Sequence, residues 1–139
     1  MKKILTISSF FAIIAGIILV IGGVWGIFFT YKNITQEKIV TPADATISQQ
    51  PVRGPFTLKA QADIIRKHVL ATTGGKTYAE MSREDANRNL WITATTLTTA
   101  LNLGILTYVF SGLILLFGCV SIWTGVIFYA LRSRKNNFA

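Results

Sequence analysis

Residues 89–131 read NLWITATTLTTALNLGILTYVFSGLILLFGCVSIWTGVIFYAL and residues 4–31 read ILTISSFFAIIAGIILVIGGVWGIFFTY, 43 and 28 consecutive positions without a charged side chain. About 20 apolar residues in a helix cross the ~30 Å hydrocarbon layer of a bilayer, so each run is long enough to span it. A mean hydropathy of +0.49 and a hydrophobic content of 51% place the whole chain in the membrane class and argue against a water-soluble globular fold. The sequence therefore predicts an all-α membrane protein: two transmembrane helices joined by a small helical extracytoplasmic segment, with the second helix extended as a stalk.

Lys2 and Lys3 ahead of the first run are also the opening of a secretory signal. The hydrophobic region of such a signal is ~7–15 residues and is followed by a small-residue cleavage site. Here the run continues through Trp25, Phe28 and Phe29 with no such site, which predicts an uncleaved signal-anchor over 1–31. In the second run Tyr108 and Tyr129 lie 21 positions apart. At ~1.5 Å per residue that is ~32 Å of helix, the separation of two interfacial aromatic belts. The second span is expected over 108–131, and the threonine-rich residues preceding it form the stalk.

Arg132, Arg134 and Lys135 make a basic tail over 132–139, and neither tail carries an acidic residue. The tendency of positive flanks to stay inside predicts the cytoplasmic membrane, with both termini cytoplasmic and residues 32–107 extracytoplasmic. The connecting segment itself carries nine Lys/Arg against six Asp/Glu, which opposes this orientation, but it is close to the ~60 residues beyond which loop charge stops deciding the side. The net charge of +8 reads as membrane-surface charge, and no nucleic-acid partner is expected. The single cysteine, Cys119, lies within the second run and excludes an intrachain disulfide.

Small residues four apart let membrane helices approach closely. Ala12/Gly16 and Gly22/Gly26 in the first run, and Ala100/Gly104 and Ser121/Gly125 in the second, supply such patches. Gly16, Gly22, Gly26, Gly104 and Gly125 are thus expected to serve helix packing, between the two spans, in a homo-oligomer or against a membrane partner. Glycine is also simply common in membrane helices.

Between the runs, residues 32–56 carry Pro42 and Pro51 without helical period and read as an extended linker or a β-like strip. A helix is expected over 57–71, where Leu58, Ala62, Ile65 and Val69 share one stripe. Lys59, Asp63 and Lys67, each four from the next, are placed to pair on the other face. Gly74-Gly75 is expected to close that helix. The next helix is expected from Ser82 as N-cap, with Glu84 and Asp85 in its first turn and Glu84 pairing with Arg88. Trp91 is the apolar anchor against which helix 57–71 is expected to pack. The segment over 57–107 is read as one helical unit with its stalk.

The strings AQADIIRKH at 60–68 and TTGGKTYAEMSRED at 72–85 are similar to a family of small two-span actinobacterial membrane proteins labelled aromatic ring-opening dioxygenase, of the alpha-subunit kind. That resemblance implies a helical accessory subunit beside an iron-bearing partner. A facial-triad iron site needs two histidines and a carboxylate on one metal. This chain has one histidine, His68, so it does not itself hold the catalytic set. A three-ligand site from Asp63, His68 and Glu80 can be drawn, against the plainer reading of His68 as a hydrogen-bonded packing residue. Gly74-Gly75-Lys76-Thr77 lacks the spacing of a phosphate loop.

No cofactor, metal site or catalytic residue is expected. Gln61, Asp63, His68, Lys76, Tyr78, Glu80, Arg83, Asp85, Arg88 and Trp91 form the candidate interaction surface. The leading expectation is a non-catalytic accessory or structural membrane protein that presents this segment to a protein partner. The alternatives are an accessory subunit of the dioxygenase named above and a small-ligand or metal sensor, the latter opposed by the short cytoplasmic ends.

Overall fold

A computed structural model describes residues 2–134, so Lys135 of the basic tail lies outside the described residues. The described chain is helical, with α1 over Lys2–Gln36, α2 over Pro55–Thr72, a single 3₁₀ turn at Tyr78–Glu80, and α3 over Arg88–Arg134. No strand forms among the described residues; one isolated antiparallel bridge joins Val40 to Pro51. α1 and α3 are both long and apolar enough to cross a membrane, and the protein itself covers only 11% of the most apolar window of each. A core helix of a soluble protein would be mostly covered. The described chain divides into two compact units, the first made of residues 2–28 and 109–134 and the second of Phe29–Tyr108.

In the first unit the amino-terminal part of α1 packs antiparallel against the carboxy-terminal part of α3 through buried small residues. Ser9, Gly16 and Gly23 on one helix, and Ser111, Gly118 and Gly125 on the other, recur every seven positions and are all buried. A Cβ on Gly16 would stand 2.7 Å from the Gly118 carbonyl oxygen, and one on Gly125 would stand 2.9 Å from that of Ser9. Hydroxyls add specific bonds: Ser9 Oγ donates to Gly125 O at 2.8 Å, and Ser121 Oγ to Ala12 O at 2.8 Å. Close backbone approach and interhelical hydrogen bonds hold helices together where burial from water is not the driving force. Gly26 also contacts Ser111. Gly22 takes no part in packing between these two helices: it is exposed, with nothing within 4 Å of a Cβ placed on it. Six positions from Gly16, it falls on a different face from the seam.

The second unit comprises the end of α1, α2 and the first half of α3, with the intervening loops. α2 begins where Pro55 occupies the first helical position, and Thr57 Oγ1 accepts hydrogen bonds from the backbone N–H of Arg53 and Gly54 at 3.0 and 3.1 Å. It ends in a Schellman arrangement: Gly75 N–H donates to Leu70 O at 2.7 Å and Gly74 N–H to Ala71 O at 3.4 Å. Gly74 holds φ 61, which a residue without Cβ adopts at no steric cost.

Residues 32–56 are not a free linker. α1 takes the chain to Gln36, and the next stretch folds back on itself. Thr41 is buried, and its N–H and hydroxyl both donate to Gln50 O while its oxygen accepts from Gln50 N–H. Val52 N–H donates to Ile39 O at 2.9 Å, which puts the Val52 side chain into the core.

Two apolar clusters follow. Val52, Leu58, Ala62 and Leu101 form one, with Ile34 and Ile105 packed against it; Val69, Met81, Trp91 and Ala94 form the other, with Leu70. Ile65 touches both. Leu58, only 1% exposed, lies 3.2 Å from a Cβ position on Gly104, so Gly104 serves packing between α2 and α3 within this unit. Ala60 and Ile64, outside the expected stripe, are also buried. They share a helical row with His68, whose ring reaches Asp44 in the folded loop.

α3 starts at Arg88, six residues after the expected N-cap Ser82. Asp85 Oδ1 accepts from Asn87 N–H at 2.9 Å in a local turn, and Arg88 reaches back to donate to Met81 O at 3.0 Å. These side-chain bonds offer residues 82–87 an alternative to the helix. The expected Glu84–Arg88 pair is absent among the described residues; the Arg88 guanidinium lies over the Tyr78 ring, 4.0 Å from its centroid. Within α3 the hydroxyls of Thr93, Thr96, Thr98, Thr107 and Thr124 donate to carbonyls four residues back, which lets threonine sit in helix without an unmet polar group.

A candidate ligand cleft beside helix α2

A cleft of about 650 Å³ opens between the end of α1, α2 and the first half of α3, all within residues 29–108. Its walls are apolar, with Phe29, Ile34, Leu58, Ile65, Leu97 and Leu103 among them. Asn33, Glu37, Gln61 and Thr107 bring polar groups into it, and Glu37 is the one charged residue in the lining. Gln61 Oε1 is buried and has no hydrogen-bond partner in the protein. An unmet buried acceptor costs about 1–3 kcal/mol, and because this oxygen is closed off even with the cleft empty, a ligand reaches it only if the Gln61 side chain turns. An apolar cleft of this size with a few convergent polar groups has the form of a small-molecule site.

The candidate surface residues do not form one site. Gln61 lines the cleft, whereas Asp63 is exposed and pairs with Lys59. Lys67 does not join that pair; it stands 3.9 Å from Asp44. His68 Nε2 lies 2.7 Å from Asp44 Oδ2, so Asp63, His68 and Glu80 are not gathered around one point. Glu80 Oε2 accepts from the Thr77 N–H and hydroxyl at 2.7 and 2.8 Å, closing the 3₁₀ turn. Among the described residues no group of three or more His, Cys, Asp and Glu could hold a metal ion. Tyr78 serves as the shelf for Arg88, and Asp85 caps a turn. Arg83 and the Lys76 side chain are exposed. Trp91 is buried, with Nε1 donating to Lys76 O at 3.0 Å, so it is a packing residue and not part of an exposed surface.

The comparisons with known proteins come back empty. No protein-family model, curated protein or solved structure matches the chain.

The Asp44–His68 contact ties the folded loop to α2 and gives it a pH dependence. The hydrogen bond from His68 is the main cause that holds the Asp44 carboxyl below its ordinary 3.8; loss of solvation acts next and the other way, and the backbone and the His68 and Lys67 charges assist the lowering. A depressed folded-state pKa gives stability that is present above the unfolded value and lost as pH falls through the folded one. Amide exchange in residues 39–52 is therefore expected to accelerate as pH is lowered through and below about 3.8, after correction for intrinsic rates. Glu80, held low by Thr77, titrates in the same direction on a different turn. Asp44→Asn should remove the acid-dependent component from 39–52 alone; an unchanged profile in that variant would show that the carboxylate does not hold the loop.

Proposed function

We propose that this chain is a non-catalytic integral membrane protein in which the packed helix pair anchors a small binding module, residues 29–108, on the outer side of the cytoplasmic membrane. The basic flanks of the two apolar runs support the orientation, with both chain ends on the cytoplasmic side. One observation carries the binding role: an apolar cleft of about 650 Å³ edged by the polar residues Asn33, Glu37, Gln61 and Thr107. This narrows the recognition role expected from the sequence. The site is the cleft, not the charged string at 83–88, where Asp85 and Arg88 are engaged in local contacts.

The test uses N-phenyl-1-naphthylamine, an apolar fluorophore with one N–H donor, added to the full chain in phosphatidylcholine nanodiscs. A saturable fluorescence gain over empty discs is expected. Ala100 lines the cleft and is exposed, so Ala100→Trp fills the space without entering the core, and should abolish the saturable part. Fluorescence that matches empty discs, or that Ala100→Trp leaves unchanged, would overturn the binding role.

A further inference from the structure

The donor and acceptor inventory of the cleft specifies its ligand further. Thr107 gives its only hydroxyl proton to Leu103 O at 2.9 Å, which leaves its oxygen as an acceptor. Asn33 donates through Nδ2 to Phe29 O at 2.9 Å, and its amide oxygen is left over. Glu37 adds a carboxylate to the lining. The polar side of the cleft is therefore rich in acceptors, and no Lys or Arg is in its lining although the chain carries a net charge of +8. Such a site favours a cationic group with N–H donors and disfavours an anionic head.

The apolar side points to where that group comes from. Phe29 and Thr30 belong to the uncharged run 4–31, and Leu103, Gly104 and Thr107 to the uncharged run 89–131, the last of them adjacent to the aromatic belt residue Tyr108. If these runs span the bilayer, residues next to that belt lie at the boundary between acyl chains and headgroups. Lipid is the most abundant amphiphile there.

We propose that the cleft takes one acyl chain of an amine-headed bilayer lipid, with the primary ammonium directed to the Glu37 carboxylate. This inference rests on the membrane-anchored binding reading above. Phosphatidylethanolamine and phosphatidylcholine separate its two parts, because both heads carry the same positive charge and only the former has N–H donors.

The full chain is reconstituted in nanodiscs holding equal amounts of phosphatidylethanolamine, phosphatidylcholine and phosphatidylglycerol with matched chains, and lipids retained by the ejected protein are counted by native mass spectrometry. One retained lipid is expected, enriched about tenfold for phosphatidylethanolamine over phosphatidylcholine, the scale of one charge-assisted hydrogen bond. Glu37→Gln should cut that ratio several-fold while retention persists, and Ala100→Trp should remove retention. Equal retention of the two zwitterionic lipids, or preference for phosphatidylglycerol, overturns the headgroup inference and leaves the cleft as a binding site. Retention that Ala100→Trp does not change overturns the cleft itself.

Discussion

Trp91→Ala is expected to destabilise the module by about 3–5 kcal/mol, the usual cost of truncating a buried tryptophan. The ring is 8% exposed and lies in one cluster with Val69, Met81 and Ala94, so it joins α2, the 3₁₀ region and α3. Small domains are stable by only about 5–15 kcal/mol, and the loss would leave α2 transiently detached. Trp91→Phe is the informative partner. It keeps most of the apolar volume and loses the Nε1 bond to Lys76 O. That carbonyl still accepts from Thr73 Oγ1 at 2.8 Å, so no acceptor is stranded and the cost should be about 1 kcal/mol. Amide exchange in residues 60–72 measures both. Equal protection in the two variants would mean that the ring does not hold α2 in place.

Much of this architecture was legible because it is periodic. The two uncharged runs gave the long helices, the stripe Leu58, Ala62, Ile65, Val69 gave the buried face of α2, and Gly74-Gly75 gave its end. The loop at 39–52 was not legible, since its order comes from pairings such as Thr41 with Gln50 and His68 with Asp44, which leave no local period. Ser82 with two carboxylates nearby is a genuine capping signal, overridden by the Asp85 turn and the reach of Arg88 to Met81 O. The cleft could not be read at all: Gln61 was visible as a polar residue beside the stripe, but one wall of the cleft is Ile34 and Glu37, and it exists only because α1 continues to Gln36.

The helix pair offers the sharpest contrast between what spacing suggests and what packing requires. Four-residue spacing groups Gly22 with Gly26, yet the seam runs through Ser9, Gly16, Gly23 and Ser111, Gly118, Gly125 at seven-residue intervals, the repeat that keeps one helical face against a partner along a left-handed pair. The positions therefore predict opposite results for the same small change. In Gly16→Ala the new methyl would stand 2.6 Å from Ile122 Cγ1 and 2.7 Å from the Gly118 carbonyl oxygen. Backbone cannot rotate away as a side chain can, so the helices must separate, at a cost of about 1–3 kcal/mol typical of overpacking. In Gly22→Ala the methyl meets nothing within 4 Å, and the pair should be unaffected. Ala12 and Ser121 face each other through the Ser121 Oγ bond to Ala12 O, so cysteines at both, with Cys119→Ser, report the seam by disulfide trapping. Trapping should fall several-fold with Gly16→Ala and stay level with Gly22→Ala. If the two alanines act alike, close backbone approach at residue 16 is not what joins these helices, and the seven-residue seam loses its physical basis.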